Sequence, residues 1–129
     1  MVGRANGWNH RIFIENGKLI EADGFELMMV KAYYEKLSAV VRDCVASGLY
    51  FGVIHAEKEI GFYLGGDDED QAEALRLFSV NCEAGRAIGA EKLVLHLWSG
   101  PRSDNDLARN LMMLDALYEI AERLRIRLL

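Results

Sequence analysis

The sequence predicts an α/β fold in which parallel strands alternate with helices, and three observations carry that expectation. Short apolar runs recur along the chain, most of them followed by a polar or glycine-rich loop and an amphipathic stretch. One of them, Lys92 to Trp98, is almost continuously hydrophobic, as expected when both faces of a parallel strand are covered. Two runs, Phe51-Gly52-Val53-Ile54-His55 and Leu93-Val94-Leu95-His96, each close on a histidine. In successive strand–loop–helix units this places two imidazoles at one end of the sheet, where α/β folds gather ligands and catalytic groups. With 129 residues the chain has material for one domain.

The first twenty-odd residues leave two alternatives open. Ile12-Phe13-Ile14 with Glu15-Asn16-Gly17-Lys18 reads as a short strand and turn, while Ile12 to Glu21 also reads as an irregular helix. From Asp23 the pattern is regular. Gly24 to Met29 is a short apolar run interrupted by one acid and bounded by Asp-Gly, a strand. Ala32 to Ala46 repeats Tyr33, Leu37, Val40, Val41 and Cys44 at helical spacing, and Gly48 stands where the helix stops. Tyr50 to His55 is the second strand. A connection over 57–70 leads to a long helix, Gln71 to Ile88, whose apolar face includes Ala72, Leu75, Leu77, Phe78, Cys82 and Ala87; Gly89 ends it. Lys92 to Trp98 is the third strand. Pro101 and Ser103 open the last helix, with Ser103 and Asp106 as an Asp variant of the capping box, and it runs to about Leu124. Ile126 to Leu129 begins a fourth strand. A final strand without a polar cap or a following element leads us to expect a truncation, because an unfinished sheet leaves backbone groups unpaired.

Composition excludes some function classes. The net charge is −5 and the longest charge run, Asp67-Asp68-Glu69-Asp70, is acidic. Binding DNA or RNA through phosphate neutralisation needs a basic stripe, and none is present. An anionic membrane is repelled for the same reason, and no segment reaches the ~18 uninterrupted apolar residues of a membrane span. The two cysteines, Cys44 and Cys82, lack C-x-x-C spacing and read as reduced core thiols. The first seven residues carry no apolar stretch of the signal-peptide type. A soluble, cytoplasmic protein is the expectation.

The residues able to carry chemistry follow from this layout. His55 and His96 share their sides of the strands with Val53 and Val94, so both rings are expected to project toward one mouth. Neutral imidazole ligates zinc and related divalent ions and works as a general acid–base near pH 7. Glu26, flanked by apolar residues, is costly to bury unless paired, metal-bound or near solvent. It reads either as a third inward-pointing ligand or acid–base group, or as the partner of a lysine such as Lys31 or Lys58. Glu57-Lys58-Glu59 follows His55 directly and reads first as a solvated charged loop, second as a source of groups that orient the site. Gly65-Gly66 is no phosphate cradle, because acids follow at once. Trp98, in the rigid Trp98-Ser99-Gly100-Pro101 loop, reads as a core residue or as the wall of a sugar-sized pocket.

Gly24-Phe25-Glu26-Leu27-Met28-Met29, Val53-Ile54-His55-Ala56 and Gly89-Ala90-Glu91-Lys92-Leu93-Val94-Leu95-His96-Leu97-Trp98 resemble the xylose isomerase-like barrel superfamily. That group includes sugar-phosphate isomerases and epimerases and the zinc-dependent apurinic-site endonucleases. The likeness covers roughly residues 23 to 129; residues 1–22 have no clear counterpart. It implies a partial (β/α)8 TIM barrel over 1–129, with the four strands as the second to fifth of a barrel that needs ~250 residues in full. It further implies a site at the carboxyl-terminal mouth, with His55 and His96 as pocket or metal residues; Glu26, from its own place in the first clear strand, joins them as a further catalytic candidate. The cofactor implied is a divalent metal (Zn, Mn or Mg), and the substrate a small sugar-like or hydroxy-carbonyl compound. The family's metal-binding glutamate falls just past Leu129. The expected partner is therefore a second copy of the chain, in a homodimer, or a missing C-terminal half. The competing class is a non-catalytic α/β interaction domain that self-associates through open sheet edges.

Overall fold

The computed structural model describes residues 10–97 and 107–129. Strands β1 (Phe25–Met28), β2 (Phe51–His55), β3 (Lys92–Val94) and β4 (Arg127–Leu128) form one parallel sheet in the order β1-β2-β3-β4. Parallel neighbours require crossovers. These include α2 (Leu37–Ser47), entered through a 3-10 helix over Lys31–Lys36, then α3 (Glu59–Leu64) with α4 (Asp68–Ala87), and α5 (Leu107–Met112) with α6 (Leu114–Arg123). A further helix, α1 (His10–Gly17), precedes the sheet. The fold is thus α/β with a parallel sheet, and among the described residues the sheet does not close on itself. No described helix is long and apolar enough to cross a membrane.

The two faces of the sheet differ. Phe25, Leu27, Ile54 and Leu93 are all at most 4% exposed, whereas Glu26, Met28, Lys92 and Val94 are only partly buried. A β-bulge creates this division at the first strand pair. Phe25 lies opposite Phe51 but Glu26 lies opposite Val53, so Gly52 is an extra residue in β2. The extra residue resets the alternation. Phe51 joins Phe25 and Phe13, with ring centroids 5.8 to 6.2 Å apart, while Val53 and His55 turn to the face of Glu26 and Met28.

Helix α4 is the main support. Asp67 caps it, its carboxylate accepting from the N–H groups of Glu69 and Asp70 at 3.0 Å each. At Gly85 the helix comes so close to the sheet that an added Cβ would stand 2.8 Å from both Ile54 Cγ2 and Ile126 Cδ1. Both α4 and α6 end in a Schellman motif. After α4, Ala90 N–H donates to Gly85 and Gly89 N–H to Arg86; after α6, Ile126 N–H donates to Ala121 and Arg125 N–H to Glu122. The left-handed position is Gly89 (φ 86°) in the first case and Arg125 (φ 54°) in the second.

Several sequence expectations need correction. The strand alternative for Ile12–Ile14 gives way to α1, which buries Phe13, Ile14 and Gly17 and ties to α2 through His10 Nε2 and Asp43 at 2.8 Å. Ala32 to Ala46 is not one helix, because Lys31–Lys36 winds as 3-10 before α2 begins. The 57–70 connection contains α3, whose Ile60 and Leu64, one turn apart, are both fully buried. The long helix starts at Asp68 rather than Gln71, since the acids suit a helix N-terminus. The third strand stops at Val94, so His96 stands beyond it. The last helix is broken at Met113, whose N–H turns back to Asn110. Trp98, Pro101, Ser103 and Asp106 lie outside the described residues. Cys44 and Cys82 are free and buried, and burial pushes both thiols up to about 12.

Candidate functional site

Glu26 projects from the middle of β1 on the open face, opposite Val53, while His55 at the end of β2 lies opposite Met28. The two are therefore diagonal neighbours on one face, within reach for side chains of this length. His55 Nδ1 is hydrogen-bonded to Glu26 Oε1. An ionised carboxylate only accepts, so Nδ1 is the donor in this contact, and in the neutral imidazole that leaves the lone pair on Nε2. Among the described residues Nε2 has no hydrogen-bond partner. Side-chain exposures of 21% for His55 and 20% for Glu26 leave the pair at the edge of solvent, partly desolvated but accessible. Of the alternatives for Glu26, the partner is His55, not Lys31 or Lys58.

His96 is exposed, and its ring stacks on that of His55, with centroids 4.8 Å apart and planes within 13°. The structure thus brings Glu26, His55 and His96 together at the carboxyl-terminal end of the sheet. The backbone there is held firmly: Met29 N–H donates to His55 O, Ala56 N–H to Val94 O, and Leu95 N–H to Leu129 O.

Whether the two histidines suit a shared metal ion is a question of ring planes. An imidazole ligates along its own plane, at about 2.0–2.1 Å from nitrogen to zinc. Two nearly parallel, stacked planes do not meet at such a point. As placed, His55 and His96 do not converge on one ion, and Glu26 is engaged by His55. No group of three or more His, Cys, Asp or Glu among the described residues is arranged to hold a metal. What the arrangement can do is move a proton: a carboxylate orients an imidazole whose second nitrogen is open.

Past β2 the chain continues into Glu57, which is 6% exposed rather than solvated. Its N–H donates to Asn81 Oδ1 at 3.1 Å, and burial raises its carboxyl above the usual carboxylate range, although the Glu59 N–H and the charges of Lys58 and Lys31 work against that shift. Asn81, on α4 and fully buried, also donates from Nδ2 to the Tyr34 hydroxyl at 2.8 Å and to Leu77 O at 2.7 Å. Burial pushes Tyr34 up to about 12, partly offset by the Asn81 hydrogen bond. Sequence reasoning missed Asn81 and Tyr34. The available signal was an asparagine on the same face as Leu77, Phe78 and Cys82, since a polar group in a buried stripe needs partners. No protein-family model matches this sequence, and no curated protein matches it.

Proposed function

We propose that the chain is part of a (β/α)8-type barrel, and that Glu26, His55 and His96 form the proton-transfer centre of an isomerase or epimerase. The substrate class is a small sugar or other hydroxy-carbonyl compound. The observation that supports this most is the Glu26–His55 pair at the carboxyl end of a parallel sheet, with the Nε2 of His55 open. The base removes a proton from the carbon next to the carbonyl; the C–H electron pair forms the enediolate double bond, and the carbonyl pair moves onto oxygen. Return of the proton to the neighbouring carbon, with the hydroxyl proton passing to the former carbonyl oxygen as the new carbonyl forms, isomerises the substrate; return to the opposite face of the original carbon, with the carbonyl re-formed, epimerises it. Glu26 holds the tautomer and favours the imidazolium that forms, while His96, stacked alongside, is within reach of the developing oxyanion. No step is assigned to a metal ion, because the ring planes observed do not converge on one.

Exchange in D2O tests this directly. Small aldoses, ketoses and dihydroxyacetone are incubated with the protein, and loss of the C–H signal next to the carbonyl is followed by NMR. His55→Ala is expected to abolish exchange and Glu26→Gln to slow it by about 10²-fold, in the range typical for general acid–base groups. Exchange that survives His55→Ala, or its absence for every substrate, refutes the assignment.

The open sheet favours a second reading, an interaction domain that pairs with another copy. Among the described residues strands β1 and β4 are edges, Met28 and Val94 on the open face are only partly buried, and Leu129 is 58% exposed. Light scattering across a concentration series separates the readings. A defined dimer with no exchange activity supports this one, and a monomer refutes it.

A further inference from the structure

A second cleft is lined by residues that follow β1 and β2 and by α3 and α4, and uses none of Glu26, His55 or His96. It encloses about 240 Å³ and is lined by Lys31 beyond β1, Tyr34 and Glu35 in the 3-10 helix, Glu57 beyond β2, and Glu59 and Tyr63 of α3. Glu73, Arg76 and Leu77 of α4 complete it, and Glu73 and Arg76 neutralise each other. Arg76 Nε and Nη2 donate to the two oxygens of Glu73 at 2.6 and 2.7 Å. Among the lining residues that leaves Lys31 against Glu35, Glu57 and Glu59, and with Lys58 also acting on Glu57 the cleft still carries an excess of negative charge and disfavours anions.

Two further observations give the cleft a chemistry. Glu57 is 94% buried, and burial outweighs the favourable contacts on its carboxyl. The Glu59 N–H and the charges of Lys58 and Lys31 offset that burial only in part, and a cation supplied from solution into the cleft would offset it further. Asn81 fixes the floor, because one buried amide holds the backbone of Glu57 and the hydroxyl of Tyr34 at once. The rings of Tyr34 and Tyr63 add apolar walls with negative faces, which favour a cationic head with a short hydrocarbon stem. The volume is below the ~300 Å³ at which pockets for drug-sized ligands begin, so the occupant is small.

We infer that this cleft binds a small primary ammonium compound, its N–H groups donating to the Glu57 and Glu59 carboxylates and its alkyl chain lying against Tyr34 and Tyr63. n-Butylammonium chloride is the probe, titrated into the full chain and followed by amide chemical shifts, with n-butanol as the neutral counterpart. Saturable binding is expected, with shifts centred on Glu57, Glu59 and Asn81 and a preference over n-butanol of about tenfold or more, the size of one charge-assisted hydrogen bond. Glu57→Gln keeps the shape and removes the charge, and is expected to weaken binding by a similar factor. Tyr63→Ala provides a second test that does not touch the buried carboxyl, and is expected to weaken it severalfold. Equal binding of n-butanol, no saturable binding, or unchanged affinity in either folded variant overturns the inference.

Discussion

Replacing Asn81 by leucine tests whether one buried amide organises the second cleft. Leucine is close in volume, so the change removes hydrogen bonds with little change in packing. Three contacts are lost: Glu57 N–H to Oδ1 at 3.1 Å, and Nδ2 to the Tyr34 hydroxyl at 2.8 Å and to Leu77 O at 2.7 Å. They are not equal. Tyr34 is only partly buried and regains water, and Leu77 O lies within α4, where the backbone supplies a donor. The Glu57 N–H is buried and is left without a partner, which costs about 1–3 kcal/mol, against about 1 kcal/mol for an ordinary net hydrogen bond. The expected total is roughly 2–3 kcal/mol. With a urea slope of about 1.5 kcal/mol per molar, the unfolding midpoint falls by roughly 1.3–2 M. Equilibrium urea unfolding followed by far-UV circular dichroism reads this. Asn16→Ala serves as a control, because Asn16 Nδ2 donates to Ile12 O at a similar 2.8 Å but on an exposed helix face. That change is expected to stay within about 0.5 kcal/mol. An Asn81→Leu midpoint no lower than that of the Asn16→Ala control refutes the reasoning that the Glu57 amide depends on this side chain.

Three further predictions rest on separate features. Gly85→Ala gains up to about 1 kcal/mol of helix propensity, but its methyl meets Ile54 and Ile126 at 2.8 Å, and overpacking of ~1–3 kcal/mol outweighs the gain. A net loss of stability in urea is expected, and a more stable variant would show that α4 can lift away freely. Arg125→Gly relieves a left-handed residue in the motif that ends α6 and is expected to stabilise by about 1 kcal/mol in the same assay; a loss would mean that the arginine side chain more than offsets its backbone strain. Glu57 supplies the pH dependence. Its folded value lies above the unfolded ~4.3, so the folded state holds the proton more tightly. The stability this gives is fully present below the unfolded value and is lost as pH rises through the folded one. Unfolding free energies of Glu57→Gln and wild type from pH 4 to 8 are expected to diverge in favour of the variant as pH rises. Parallel curves contradict it.

Much of the architecture was legible locally. The β1, β2 and β4 segments and the stops at Gly48 and Gly89 follow from alternation and backbone freedom, which neighbouring residues alone specify. The sequence reading failed where the deciding contact is distant. Helix α3 was hidden because six residues containing Gly61 carry little helical signal until Ile60 and Leu64 are buried against the rest of the fold. The early end of β3 was hidden because the hydrophobic pattern continues to Trp98, although the strand has stopped at Val94. Likewise Asp67 is read in isolation as part of an acidic run, and only the amides it caps show what it does.

The site divides along the same line. From the order of residues alone came the placing of two histidines at strand ends and of a carboxylate inside the first clear strand, because period-2 alternation and strand order are local properties. What tertiary structure decided is which groups meet. The register between β1 and β2, set by the bulge at Gly52, makes His55 the partner of Glu26 instead of a lysine, and the stacking of His96 on His55 sets the ring planes that keep the two from sharing an ion. Register and ring orientation depend on contacts between segments tens of residues apart, whose energies no single segment contains.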